Sequence, residues 1–175
     1  VRGFATPTGR IELYATPFPA AGYDPLPRYH EPADSPMDAG NADYPLVLTS
    51  FRTIQFIGPQ NRNTPRLRAK QPDPFLEIHP DTAQAAGIGD WAVVENPHGR
   101  VKLKARFAPS MHPRVVSAPY GWGQACTELD LPGHDPFGPD GANLNRLVPD
   151  ADIDPISASV PHRSRMCRVV TIKPR

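Results

Sequence analysis

The amino-acid sequence predicts a mainly β fold, a small closed barrel with long crossover loops. Proline is abundant, with 24 of 175 residues. Because proline lacks a backbone donor and breaks helix interiors, a helical bundle is disfavoured. Short apolar runs separated by turn residues give the order strand, long loop, strand, short helix, hairpin, strand, long loop, strand. A chain of this length can form one domain with a substantial core.

Residues 1–43 form the first predicted segment, a polar and proline-rich arm. Its composition favours an extended strap or linker that lies on another surface. Alternation around Ile11 and Leu13 predicts one short strand within it. The barrel domain itself is expected over residues 44–175.

The barrel is predicted to begin with a compact apolar run at residues 44–50, interpreted as a buried strand. A long basic loop follows over residues 51–70, and a loop of that length usually has a function. Residues 75–78 predict the second strand. A short helix then begins at Pro80, and Gly87 suits the position just beyond its end.

A hairpin is predicted next, with arms at residues 91–95 and 100–107, and Gly99 is expected to supply a backbone angle that other residues avoid. The second arm alternates Val101, Leu103, Ala105 and Phe107 inward with Arg100, Lys102, Lys104 and Arg106 outward. We interpret the basic row as a solvated face, since no aromatic side chains alternate with it for base stacking. Two more strands are predicted at residues 115–118 and 168–173.

Composition also limits the classes of function. The formal net charge is only +1, so no strong field indicates a nucleic acid or an acidic membrane. No apolar run approaches the roughly 18 residues of a membrane span. Cys126 and Cys167 lack the spacing of a redox pair and are predicted to be free thiols. The six histidines show no metal-ligand spacing, so no metal bound by protein side chains is expected.

Several motifs carry a resemblance to a known family. They are the lead-in G-F-A-T-P-T-G-R-I-E-L-Y, the strand Y-P-L-V-L-T-S-F-R, the loop R-N-T-P-R-L-R, the segment E-I-H-P-D-T-A-Q-A-A-G-I-G-D, and the closing P-Y-G-W-G, A-N-L-N-R-L and D-P-I-S. In this order they resemble the C-terminal dinucleotide-binding domain of molybdopterin oxidoreductases, the dimethyl-sulfoxide reductase superfamily. The chain departs from that family at Gly58-Pro59, where His-Ser is common, and in its shorter G-I-G-D turn.

The resemblance implies a six-stranded double-psi β-barrel with one or two short helices. It implies a domain that binds and positions a bis(molybdopterin guanine dinucleotide) cofactor, whose molybdenum or tungsten is held by the cofactor and by a preceding domain. No catalysis is expected from the isolated chain. The implied partners are the remainder of the catalytic subunit, together with an iron–sulfur electron-transfer subunit, without nucleic acid and without membrane insertion.

Candidate site residues are polar side chains on loops. A guanidinium and hydroxyls suit pyrophosphate oxygens, asparagine both donates and accepts, and an indole stacks on rings. The predicted cofactor-binding residues are Thr49, Ser50, Arg52, Gln60, Asn61, Arg62, Asn63, Trp122, Gly123, Asn143, Asn145, His162 and Arg163.

Each of these groups has a structural alternative. Residues 49–52 could cap a turn, residues 60–63 could form a solvated loop, and Asn143 and Asn145 could fix their own loop. Trp122 could fill a barrel end, and residues 162–163 could be a basic surface turn. At the level of the whole chain, the alternatives are a double-psi interaction module without a redox cofactor and a nucleic-acid-binding barrel. Substrate, metal and compartment stay open.

Overall fold

The computed structural model describes residues 3–32, 34–138, 141–151 and 153–172. They divide into two compact units, the first of which ends at Pro32. This first unit contains one short helix, α1 (Pro17–Ala20), and none of residues 3–32 is buried. The strand predicted around Ile11 and Leu13 is wrong: both side chains are exposed, and within residues 3–32 no second strand supplies hydrogen bonds.

The second unit contains six strands that close into a barrel. They are β1 (Leu46–Phe51), β2 (Phe75–Ile78), β3 (Trp91–Asn96), β4 (Gly99–Phe107), β5 (Val115–Pro119) and β6 (Arg165–Thr171). Around the barrel the order is β1-β5-β2-β4-β3-β6. The pairs β1–β5 and β2–β4 are parallel, and the other four pairs are antiparallel. The predicted closed barrel of six strands is confirmed, with β6 beginning earlier than expected; its predicted end at Lys173 lies outside the described residues.

Two short α-helices lie in the described part of this unit. The helix α2 (Pro65–Arg68) lies within the stretch predicted as a continuous loop, and it begins with proline at its first position. The helix α3 (Pro80–Ala85) is the predicted one. His79 Nδ1 accepts a hydrogen bond from the backbone N–H of Asp81 at its start, and Gly87 follows its end with φ 64°, which a residue with a side chain adopts at a cost.

The barrel interior is filled by alternate side chains of the strands. On β4, Val101 and Leu103 are fully buried, as predicted. Phe107 is 53% exposed, which contradicts its predicted inward position. Phe107 still pairs with Ile78 of β2, but β3 pairs with β4 only as far as Lys104, so the end of β4 has a neighbouring strand on one side only.

Gly99 has a different role from the one predicted. Its φ does not lie in the left-handed region. Instead, a Cβ atom at this position would lie 2.5 Å from the carbonyl oxygen of Arg146, so glycine is needed for close approach of two backbones. Cys126 and Cys167 are free and buried, as predicted, and burial raises the pKa of the Cys167 thiol. Among the described helices, none has the length and apolar character to cross a membrane.

Candidate functional site

Polar ends of three strands meet at one end of the barrel. Since β1 and β5 are parallel and β6 is antiparallel to β1, the ends of β1 and β5 lie beside the start of β6. A cleft of about 390 Å³ opens there. Its other wall is the 3₁₀ helix Leu144–Leu147. The residues that line the cleft are Leu48, Ser50, Arg52, Tyr120, Leu144, Asn145, Val148, His162, Arg163 and Arg165.

The cleft is cationic. Among the residues that the structure describes, its lining contains three arginines and one histidine but no carboxylate. Arg165 is almost completely buried; its Nε donates to the carbonyl oxygen of Pro161 at 3.0 Å, and its Nη1 lies 3.7 Å from Asp34 Oδ2. Guanidinium groups bind phosphate and carboxylate oxygens through paired N–H donors, so this lining suits an anionic ligand.

Ser50 contributes a buried hydroxyl to the cleft. The residue is 8% exposed, and within the described part of the chain its Oγ has no hydrogen-bond partner. A buried hydroxyl without a partner is unfavourable, because it has lost its water without gaining another bond. This atom therefore suits a ligand that supplies the missing hydrogen bond.

Tyr120 joins two sides of the cleft. Arg52 Nε donates a hydrogen bond of 2.6 Å to the Tyr120 hydroxyl. The Tyr120 ring also lies edge-on to the His162 ring, with 6.2 Å between their centroids. Sequence reasoning did not predict Tyr120 as a site residue, although the P-Y-G-W-G motif contains it.

The structure brings five predicted residues together at this cleft: Ser50, Arg52, Asn145, His162 and Arg163. Thr49 is half-buried and precedes Ser50, so its side chain lies on the other face of β1. Asn143 lies just before the 3₁₀ helix. Its Oδ1 accepts a hydrogen bond of 3.1 Å from Asn145 N–H, and its Nδ2 donates to Pro136 O at 3.3 Å. These contacts correspond to the loop-fixing alternative.

The predicted cluster at residues 60–63 separates into exposed and buried side chains. Gln60, Asn61 and Asn63 are exposed, and Asn61 has a left-handed φ of 67°. Arg62 is only 1% exposed. Its Nε donates to Gly121 O at 2.7 Å and its Nη2 to Tyr120 O at 2.6 Å. None of these four residues lines the cleft.

Trp122 is buried and does not line the cleft. It is 2% exposed and packs edge-on against Phe56 and His134. The Arg62 guanidinium carbon lies 4.0 Å from the centroid of the Trp122 ring and 4.3 Å from that of Phe56. Gly123 follows as an exposed residue.

Arg68, a third buried arginine in addition to Arg62 and Arg165, was not predicted as a functional residue. It is fully buried and donates to four backbone carbonyl oxygens, those of Arg62, Pro72, Gln124 and Pro132. Burial first, and then the charge of Arg68, lower the pKa of Arg62 to about 10, so Arg62 is protonated at neutral pH. Within the described residues, no group of three or more His, Cys, Asp or Glu side chains could hold a metal ion.

Comparisons with known proteins identify the family. The family model described as the molydopterin dinucleotide binding domain matches residues 46–165. The chain is 37% identical to an acetylene hydratase of Syntrophotalea acetylenica over 68% of its length, and 33% identical to an assimilatory nitrate reductase catalytic subunit of Bacillus subtilis over 72%. It covers 17% and 18% of those proteins.

A solved structure shows the same relationship. Acetylene hydratase from Pelobacter acetylenicus superimposes with a TM-score of 0.79 and 29% identity, over 98% of this chain and 24% of that one. The expected fold class, a mainly β double-psi barrel, is therefore confirmed, and so is the expected class of cofactor, a molybdopterin guanine dinucleotide with molybdenum or tungsten. The chain belongs to the family of molybdopterin dinucleotide-binding domains, homologous to parts of the catalytic subunits of molybdenum and tungsten oxidoreductases.

Proposed function

We propose that the cleft at the ends of β1 and β5 holds an anionic part of a molybdopterin guanine dinucleotide within a larger catalytic subunit. The observation that carries this proposal is the buried Ser50 hydroxyl, which has no partner among the described residues, in a cleft whose described lining holds three arginines and no carboxylate. When bound, the cofactor supplies the redox chemistry of its molybdenum or tungsten. The residues of this chain bind and orient it.

The lining contains polar side chains, which suit the anionic and heterocyclic groups of the cofactor, and apolar side chains, which suit its ring faces. Arg52 and Arg163 offer N–H donors to diphosphate oxygens, Ser50 adds a hydroxyl donor, and His162 adds a polar imidazole beside them. Asn145 offers both a donor and an acceptor, which suits the mixed edge of a purine or pterin. Leu48, Leu144 and Val148 provide apolar surface for a ring or sugar face.

The remainder of the catalytic subunit is the first proposed partner. The chain spans about a sixth of the relatives named above, and the exposed apolar side chains of its first unit, among them Leu13 and Tyr29, suit burial against a further surface. An iron–sulfur electron-transfer subunit is the second. Relatives from Nitratidesulfovibrio vulgaris and Allochromatium vinosum are named as single subunits of a formate dehydrogenase and of a sulfite dehydrogenase, which supports an assembly of several polypeptides.

Pterin content tests the proposal. The complete polypeptide is purified with its native partners, denatured and oxidised, and the released pterin is measured by fluorescence beside molybdenum and tungsten by mass spectrometry. We expect pterin in the unaltered protein and a lower content in Ser50→Ala, Asn145→Ala and Arg163→Gln. Arg66→Gln, an exposed position outside the cleft, is the matched control. Absence of pterin from the unaltered protein would refute the proposal and favour the interaction module.

A further inference from the structure

We infer that Tyr120 is a positioning residue for the cofactor: it holds Arg52 and His162, which come from two separate loops, at the mouth of the cleft. The inference rests on the proposed function of the cleft. Arg52 follows β1, Tyr120 follows β5 and His162 precedes β6. One side chain therefore contacts two residues of the cleft lining that are 110 positions apart, from 52 to 162.

The first contact orients Arg52. Its side chain is exposed, and an exposed arginine loses much rotamer freedom when it binds a ligand. The hydrogen bond from Nε to the Tyr120 hydroxyl removes part of that freedom beforehand. Nη1 and Nη2 have no hydrogen-bond partner in the described part of the chain, so one edge of the planar guanidinium stays available for two oxygens of an anion.

The second contact places His162. The rings of Tyr120 and His162 meet at an interplanar angle of 65°, an edge-to-face arrangement that is favourable beyond the apolar area it buries. The imidazole is also held from its own loop, with Nδ1 3.0 Å from Val160 O. Tyr120 thus limits the movement of a loop whose residues 153–163 are otherwise exposed.

The buried side chain of Arg62 fixes the backbone of Tyr120 through hydrogen bonds. The guanidinium donates to the carbonyl oxygens of Tyr120 and Gly121 and packs between two aromatic rings in the interior. Gly121 has φ 84°, and a Cβ there would lie 2.7 Å from Pro59 N, so the loop before Arg62 packs directly on this turn. Arg62, which does not line the cleft, therefore acts on it through Tyr120.

Tyr120→Phe tests the contribution of the hydroxyl alone, because it removes the contact with Arg52 and keeps the ring that contacts His162. The complete polypeptide is incubated at increasing ionic strength, and the rate of pterin release is followed by gel filtration and fluorescence. Loss of a hydrogen bond to a charged group predicts release that is faster by roughly tenfold. Tyr23→Phe, in the first unit, is the matched control. Tyr120→Leu removes both contacts and should accelerate release further.

The same substitution made in an Arg52→Gln variant separates a positioning role of Tyr120 from a general effect on folding. In Arg52→Gln, Tyr120→Phe should accelerate release no further, because its partner is already absent. Equal acceleration in both backgrounds, or release from Tyr120→Phe at the rate of Tyr23→Phe, would overturn the inference while leaving the proposed function intact. An unaltered protein without pterin would instead remove the proposed function, and the inference with it.

Discussion

Asn96 Nδ2 donates a hydrogen bond of 2.8 Å to the carbonyl oxygen of Leu147, 51 residues further along the chain. The Oδ1 atom of the same side chain accepts from the backbone N–H groups of His98 and Gly99, at 3.0 and 3.2 Å. One buried amide therefore closes the β3–β4 hairpin and also fixes the end of the 3₁₀ helix that forms a wall of the cleft. The hairpin, remote from the cleft in sequence, determines where that wall lies.

The first prediction concerns the close approach of Gly99 to Arg146. In Gly99→Ala the new Cβ would meet a backbone oxygen at 2.5 Å, and a backbone atom moves less easily than the end of a side chain. We expect a loss of about 1–3 kcal/mol in the free energy of unfolding, the usual cost of overpacking. Urea denaturation followed by circular dichroism measures it.

Gly89→Ala is the matched control for this prediction, since a Cβ at Gly89 meets nothing within 4 Å. Its free energy of unfolding should be unchanged or higher by up to about 1 kcal/mol, because alanine restricts the unfolded chain. Equal destabilisation by the two substitutions would show that contact with Arg146 is not the cause.

The second prediction concerns Arg68. Arg68→Met keeps most of the volume but removes the donors for four backbone carbonyl oxygens. Buried acceptors left without partners are expensive, so we expect a loss on the order of 3 kcal/mol or more in the free energy of unfolding. The substitution also removes one of two neighbouring buried positive charges, which offsets part of the loss. Thermal and urea unfolding of the purified chain give the difference.

Two further variants test whether the lost hydrogen-bond donors cause the effect of Arg68→Met. Arg66→Met, at an exposed position of the same helix, should change stability by less than about 0.5 kcal/mol. Arg68→Lys keeps the charge but not the fork of donors, and should recover only part of the loss. If Arg68→Met proved as stable as Arg66→Met, the four carbonyl bonds would not be what holds these loops together.

Local patterns predicted much of the fold. The β2 strand and helix α3 were predictable because their apolar residues, Pro80 and Gly87 act through neighbours in sequence. The position of Ser50 and Arg52 in the cleft lining was predictable because the end of β1 places polar residues at the barrel rim. In each of these cases, the residues that determine the structure lie within a few positions of the element that they form.

Long-range contacts were not predictable in this way. Arg62 and Arg68 look like solvated residues of a basic loop, yet their hydrogen-bond acceptors lie up to 64 positions away. Gly99 was expected to need a special backbone angle, whereas its neighbour in space is Arg146. Tyr120 was missed for the same reason, since Arg52 and His162 approach it only after the barrel has closed.

The last prediction concerns His134, which packs edge-on against Trp122. Burial first, and then the charges of Arg68 and Arg62, lower the pKa of His134, with Asp73 opposing them. Just below about pH 6.5, His134 therefore binds a proton in the unfolded chain but not in the folded chain. Stability is lost as pH falls through that range toward the lower pKa of the folded state. Because carboxylates also titrate on acidification, the informative quantity is the difference in unfolding free energy between wild type and His134→Gln.

Urea unfolding at intervals from about pH 7.5 to about pH 5 measures that difference. The stability of wild type relative to His134→Gln should fall as the pH is lowered, because only the wild type carries the histidine that resists protonation. His30→Gln, at an exposed position of the first unit, controls for the loss of a histidine in general. A difference between wild type and His134→Gln that is constant over the whole range would mean that neither burial nor the neighbouring arginines lower the pKa of this imidazole.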